Sequence, residues 1–315
     1  MMNNLNSQNS TKHSQQIQNH YDQKKQINDN KRKESPIIWM KTINNWVKSI
    51  LIKKYTNPKD SVLDFCCGKG GDLKKWKYGL ISNFVGADIS KASIHDAIDR
   101  NIFFDIVSCQ FSLHYSFQSE STVRKMLENV TCRLSKGGFF VGTVPNANWI
   151  VKKLRSIDGL NFGNDIFSIK FIKSNEKMTD EEFKQNIPTF GAEYEFSLLD
   201  AIKPLSEFLI HFPSFEKIAS EYGLKIVEKR TFHQFFYDQI EKPEGLELLQ
   251  KMSSNLKGEI PLDQWEAIGI YMIFVFEKVT EPSLFNKNNS QENEVESLTH
   301  EYIDLSQIPH IKKNF

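Results

Sequence analysis

Val62-Leu63-Asp64-Phe65-Cys66-Cys67-Gly68-Lys69-Gly70-Gly71-Asp72 is the stretch on which the fold turns. It opens with a short apolar run, the pattern of a strand buried in a parallel sheet. Gly68, Gly70 and Gly71 then permit a sharp turn with room for a ligand beside the backbone. Leu73-Lys74-Lys75-Trp76 continues as a helix. Strand, glycine turn and helix together make the first unit of a doubly wound α/β sheet. The next strand, Phe84-Val85-Gly86-Ala87, ends in Asp88, where a carboxylate suits the hydroxyls of a ribose. The dinucleotide spacing G-x-G-x-x-G is not met, so the stretch alone points no further than a nucleoside-bearing cofactor.

The bulk properties narrow the class. At 315 residues, the chain is long enough for one large domain. A hydrophobic fraction of 39% supplies a sizeable core, and a net charge of +1 gives no global attraction to nucleic acid. Any basic site must therefore be local. Cys66, Cys67, Cys109 and Cys132 lack the paired C-x-x-C spacing of a zinc site and are read as reduced thiols of an intracellular protein. No apolar run approaches a membrane span, and the Asn/Gln/Ser-rich start is not a signal peptide.

Along the chain, residues 1–19 read as a disordered tail, 20–278 as one α/β domain and 279–315 as a flexible tail. Lys31-Arg32-Lys33 is a short basic run that suits a nuclear address, a phosphate contact or a solvated cluster. Residues 37–53 have helical spacing, with Asn44, Asn45 and Lys48 bordering the apolar face. A helix is expected over 89–100 with Ser90 as its N-cap. A strand over 105–111 ends in a loop bearing Gln110, His114 and Tyr115, where ligands bind in such sheets. A helix over 120–134 is expected to stop at Lys136-Gly137-Gly138. Strands are expected over 139–144, 207–210, 224–227 and 270–276, and a helix over 215–222. Hairpin-like strands over 166–172 and 194–199 suggest a lid.

The order of these motifs resembles the eukaryotic mRNA cap guanine-N7 methyltransferases, a family within the S-adenosylmethionine-dependent class. The pieces that carry it are Asn44-Asn45-Trp46-Val47-Lys48, Leu63-Asp64 with Cys67-Gly68-Lys69-Gly70-Gly71-Asp72-Leu73, and Cys109-Gln110-Phe111 with His114-Tyr115-Ser116-Phe117. Gly137-Gly138-Phe139-Phe140, Pro145-Asn146, Phe162-Gly163-Asn164 and Trp265-Glu266-Ala267 with Ile270-Tyr271 continue it. The resemblance runs from about His20 to Lys278.

The resemblance implies a class I methyltransferase fold, Rossmann-like, with a mostly parallel sheet, helices on both faces and an inserted lid-like segment. It implies methyl transfer from S-adenosylmethionine to N7 of the guanosine cap, with S-adenosylhomocysteine as product and no metal. By position, Lys48, Asp64, Cys66, Gly68, Asp88, Gln110 and Tyr115 fall on the cofactor side. Lys48 would hold the methionine carboxylate and Asp88 the ribose. Asn44, Asn45, Lys69, Lys75, Arg100, His114, Glu207 and Tyr271 fall on the cap side. There the three cations would meet the triphosphate and Glu207 the guanine edge. Guanine N7 already carries a lone pair, so no acid/base pair is needed and alignment is the main task. Alignment of this kind can be worth roughly 7–11 kcal/mol. The implied substrate is capped RNA. The implied setting is a nuclear monomer that works with other capping enzymes or the RNA polymerase II machinery.

Two departures stand out. Cys66 occupies a position where the family motif has glycine. Between Arg100 and Phe104, three residues replace a longer segment that holds a sheet-edge strand and an acidic contact to adenine. One edge strand is therefore expected to be missing, which exposes a new edge. The expected activity is that of the methyltransferase. The alternative is an impaired isoform or cap-binding scaffold without the adenine pocket.

Overall fold

The computed structural model describes residues 34–68, 70–87 and 103–281. The expected tail 1–19, the basic run Lys31-Arg32-Lys33, the helix over 89–100 and residues 282–315 lie outside it, as do Lys69, Asp88 and Arg100.

Helix α1 (Ile38–Tyr55) leads into β1 (Ser61–Phe65), the glycine turn, α2 (Leu73–Tyr78) and β2 (Asn83–Ala87). Then come β3 (Phe104–Gln110), a 3-10 turn (Leu113–Gln118), α3 (Glu120–Thr131) and β4 (Leu134–Pro145). Six strands form the main sheet, counting β9 (Leu224–Thr231) and β10 (Tyr271–Lys278). Their order is β2-β1-β3-β4-β10-β9. The first four run parallel, and β10 is antiparallel to both neighbours. This is the expected mostly parallel sheet, and β2 is its edge among the described residues.

Strand alternation sorts the core into two layers. Val62, Ile106, Val141 and Ile273 pack on one side with Trp46 and Trp76; Leu63, Val107, Val144 and Phe274 pack on the other with Phe117 and Phe215. By the same alternation, Asp64, Ser108, Gln110 and Thr143 lie on the Trp46 side. A buried polar row therefore runs along the strand ends beneath α1.

Between β4 and β9 the chain adds α4 (Ala147–Arg155), β5 (Asn161–Gly163), β6 (Phe167–Phe171), α5 (Asp180–Gln185), β7 (Glu193–Leu198), β8 (Ile202–Phe208) and α6 (Phe212–Glu221). Strands β5-β6-β7-β8 form an antiparallel sheet of their own, the expected inserted segment. Helices α7 (Phe232–Ile240), α8 (Pro243–Ser253) and α9 (Leu262–Ile268) precede β10. They brace α1. Trp46 is fully buried, donates through Nε1 to the Gly245 carbonyl at 3.0 Å and meets Phe236 edge-on.

One expectation is corrected. Helix α3 ends at Thr131, and Lys136-Gly137-Gly138 lies inside β4 rather than closing a helix. Leu134 pairs with Phe104 while Phe139 pairs with Ile106, so the extra residues bulge out, with Gly137 at φ 81°.

Candidate active site

The order in which strands are added reverses between β1 and β3, and ligands in such sheets bind beyond the strand ends at that point. Beyond β1, the chain turns through Cys66, Gly68 and Gly70 at φ 57°, 51° and 72°. At Gly70 a Cβ would stand 2.4 Å from Leu73 Cδ1 and would have to hold φ 72°, so a side chain there displaces Leu73 and strains the backbone. Cys66 has to hold the same left-handed conformation without glycine's freedom.

Beneath this turn, Asp64 is buried and is approached by Trp76 Nε1 at 3.4 Å and by the Ser108 hydroxyl. Burial, helped by the nearby Asp72 carboxylate, pushes its carboxyl up to about 7. Gln110 accepts from Thr143 Oγ1 at 3.1 Å, and the Gln110 amide reaches Ser108 Oγ at 3.3 Å. Tyr115 packs at 4.2 Å, ring to ring, on His114.

Asp72 joins two lysines. Lys48 Nζ lies 2.8 Å from its Oδ2 and Lys75 Nζ 2.6 Å from its Oδ1. Burial alone would raise the Asp72 carboxyl, but the two ammonium groups hold it below the usual carboxylate range. Lys75, expected on the cap triphosphate, is thus engaged by Asp72 on its own helix turn.

Next to this clamp lies a cavity of about 240 Å³, lined by Asn44, Asn45, Lys48, His114, Glu207 and Tyr271. Residues far apart in sequence meet here because one face of α1, the start of the 3-10 turn, the end of β8 and the start of β10 converge on its wall. Lys41, Phe111, Leu198, Ala201 and Ile202 complete the lining. Phe111 meets Tyr271 edge-on at 4.9 Å, and Lys48 Nζ lies 5.9 Å from its ring centre.

Several polar groups at this wall lack a protein partner. Asn44 Oδ1 and both ring nitrogens of His114 are buried without a hydrogen bond. His114 Nε2 comes within 3.4 Å of Glu207 Oε1 without hydrogen-bond alignment. Glu207 Oε2 accepts from the Tyr194 hydroxyl at 2.9 Å. Buried groups of this kind need partners, so the cavity is shaped for a polar aromatic ligand.

Six of the expected site residues therefore meet at one cavity, and Asp64, Cys66, Gly68, Gln110, Tyr115 and Lys75 surround the adjacent strand ends. Sequence reading did not assign Tyr194, Asp72 or Lys41 to the site. Tyr194 and Lys41 sit on elements with no motif of their own. Asp72 lay within the glycine motif, but its lysine partners are visible only in three dimensions.

The residues of the strand ends suit S-adenosylmethionine. The turn is free of side chains at Gly68 and Gly70, the polar row lies beneath it, and the Lys48–Asp72 pair offers both charges for a zwitterionic amino acid. Among the described residues, no group of three His, Cys, Asp or Glu side chains is arranged to hold a metal ion, and no helix is long and apolar enough to cross a membrane.

The family model described as the mRNA (guanine-N(7))-methyltransferase domain matches residues 4–102 and 98–279. The chain belongs to this family. An Arabidopsis thaliana relative, mRNA cap guanine-N(7) methyltransferase 1, is 35% identical over 318 residues, covering 88% of this chain and 85% of the relative. Its Oryza sativa namesake is 35% identical over 92% of this chain and 88% of that protein. The Drosophila melanogaster mRNA cap guanine-N(7) methyltransferase is 30% identical over 83% and 76%. The two family matches meet at residues 98–102, and each aligned length exceeds the residues of this chain that it covers. The relatives thus carry residues that this chain lacks, in keeping with a shortened link before Phe104.

Proposed function

We propose that this chain transfers a methyl group from S-adenosylmethionine to N7 of the guanosine cap of RNA. The observation that carries the reading is the cavity in which Glu207, His114 and Asn44 present polar atoms among the Phe111 and Tyr271 rings. A guanine adds polar groups to this wall. Its N1–H and exocyclic amine donate to Glu207, while Phe111 and Tyr271 pack around the base.

S-adenosylmethionine supplies a methyl already activated on a sulfonium. Lys48 would hold its carboxylate, and Asp64, Gln110 and Tyr115 would line its place at the strand ends. The protein deprotonates nothing, because N7 has a free lone pair. Its residues orient the base, exclude water from the cavity and offer Lys75 to the cap phosphates once Asp72 releases it. Lys69 and Arg100 extend that cationic side and Asp88 the ribose side in this reading, and all three lie outside the described residues. We place the protein in the nucleus, with capped RNA as its partner.

A second reading is favoured by the shortened link before Phe104, namely a cap-binding protein that has lost its adenine wall. Transfer of labelled methyl to capped RNA, with none to uncapped RNA, is the expected result. Cap binding without S-adenosylhomocysteine binding by calorimetry would replace the enzyme with the scaffold.

A further inference from the structure

The turn after β1 carries a thiol that methyl transfer does not use, and a second thiol lies against it. On the parallel strands β1 and β3, Phe65 stands opposite Cys109. Cys66 is one residue farther along, a diagonal of about 6 Å at ordinary strand spacings. Disulfides span Cα separations of about 4.4–6.8 Å. The two side chains are neighbours, close enough for the Cys66 thiol to act on that of Cys109.

Their surroundings differ. Cys109 is fully buried, whereas Cys66 is exposed. Contact with Cys66 and burial both keep Cys109 as a thiol, so the pair is stable in the reduced form until its exposed member reacts. Cys67 faces the other way. A Cβ added at Gly86, on β2, would stand 2.9 Å from its Sγ.

We propose that Cys66 and Cys109 form a peroxide-responsive dithiol whose oxidation ties the glycine turn to β3. In the first step the Cys66 sulfur attacks a hydroperoxide oxygen. The O–O bond breaks, water or an alcohol leaves, and Cys66 becomes a sulfenic acid. In the second step the Cys109 sulfur attacks the Cys66 sulfur. The S–O bond breaks, and the departing hydroxide takes up the Cys109 proton as water. Two electrons pass from the sulfurs to the peroxide.

The consequence follows from where Cys66 sits. It lies between Asp64 and Gly68, in the turn that opens the cofactor site. Drawing its sulfur onto β3 fixes the turn in one conformation and lowers cofactor affinity. That consequence rests on the cofactor reading above, whereas formation of the disulfide does not.

The experiment uses the full chain, reduced and then exposed to hydrogen peroxide, alkylated and mapped by mass spectrometry. The expected product lacks two hydrogens, joins the Cys66 and Cys109 peptides and is reversed by dithiothreitol. S-adenosylhomocysteine affinity, measured by calorimetry, is expected to fall about tenfold or more on oxidation and to return on reduction. Cys66→Gly and Cys109→Ala should each abolish the cross-link, and Cys66→Gly lies at an exposed turn where folding is not at risk. Oxidation of Cys66 to sulfinic acid with Cys109 still alkylatable, or a Cys66–Cys67 bond instead, would overturn the proposal. A Cys66–Cys109 bond that leaves affinity unchanged would overturn the coupling to the turn. Failure of the reduced protein to bind S-adenosylhomocysteine would sink the cofactor reading alone.

Discussion

Tyr194 and Glu207 stand opposite each other on β7 and β8, and the tyrosine hydroxyl donates to Glu207 Oε2 at 2.9 Å. Both side chains are buried, and burial holds the tyrosine in its protonated, donating form. The carboxylate that faces the cavity is thus aimed by its cross-strand neighbour. Hydrogen bonds to charged groups are worth about 1.5–3 kcal/mol. Tyr194→Phe should raise KM for capped RNA by roughly tenfold or more, with a smaller change in kcat. Glu207→Ala should lose more, because it removes the recognition group itself. Steady-state kinetics on capped RNA check both, and a Tyr194→Phe enzyme with parental KM would show that Glu207 is held by other means.

The Lys48–Asp72–Lys75 clamp makes a prediction about stability. Removing the shared carboxylate leaves two ammonium groups facing each other in a mostly buried site. Asp72→Asn should destabilise the fold by up to about 3 kcal/mol near neutral pH. The sign with pH is fixed by the depressed Asp72 carboxyl. Its stabilisation is present above the ordinary carboxylate pKa and is lost as pH falls through the folded value. Urea unfolding of parent and variant should therefore show the gap closing in acid. An equal gap at neutral and acid pH would mean that the clamp contributes nothing electrostatic.

The fold was legible where pattern and chemistry coincide. Val62 to Gly71 reads as strand and turn because a buried parallel strand needs an apolar run and the turn needs positive φ. Helix α1 shows its spacing because one face covers the sheet. The three helices over 232–268 were not read from the sequence. Phe235, Phe236 and Trp265 pack on α1 and on one another, so their periodicity answers to a partner helix rather than to the sheet. The false helix stop at Gly137 has a similar origin. A Gly-Gly pair serves a bulge as well as a helix end, and only pairing with β3 distinguishes them. Within the site, Tyr271 could be named from a family motif and Glu207 from its position in the resemblance. The Tyr194 hydroxyl that aims Glu207 could not, because cross-strand register is not written in either strand alone.

Cys66 holds φ 57° at a position where left-handed backbone favours glycine. For a residue with a Cβ, that conformation costs about 1–2 kcal/mol. Glycine would remove the strain but would add about 0.5–1 kcal/mol of unfolded-state entropy. Cys66→Gly should therefore stabilise the protein by about 1 kcal/mol or less. It should also tighten S-adenosylhomocysteine binding, because the side chain leaves the mouth of the turn. Thermal unfolding and calorimetry of the same sample measure the two effects. Weaker binding in the glycine variant would mean that the cysteine side chain contacts the ligand favourably.

Asp64 gives the opposite pH dependence to Asp72. Its carboxyl, about 3.8 in the unfolded chain, rises to about 7 in the fold, chiefly through burial. Between those values the folded state holds a proton that the unfolded state has released. Stability from this group is therefore full below the unfolded value, declines as pH rises and levels off above about 7. A shift of this size corresponds to roughly 4 kcal/mol at most. Asp64→Asn keeps the shape and cannot ionise, so it should gain stability relative to the parent as pH is raised from about 5 to 8. Urea midpoints across that range check the trend. If the difference between variant and parent stays flat, Asp64 is ionised throughout, held charged by Lys48 and its Trp76 and Ser108 donors.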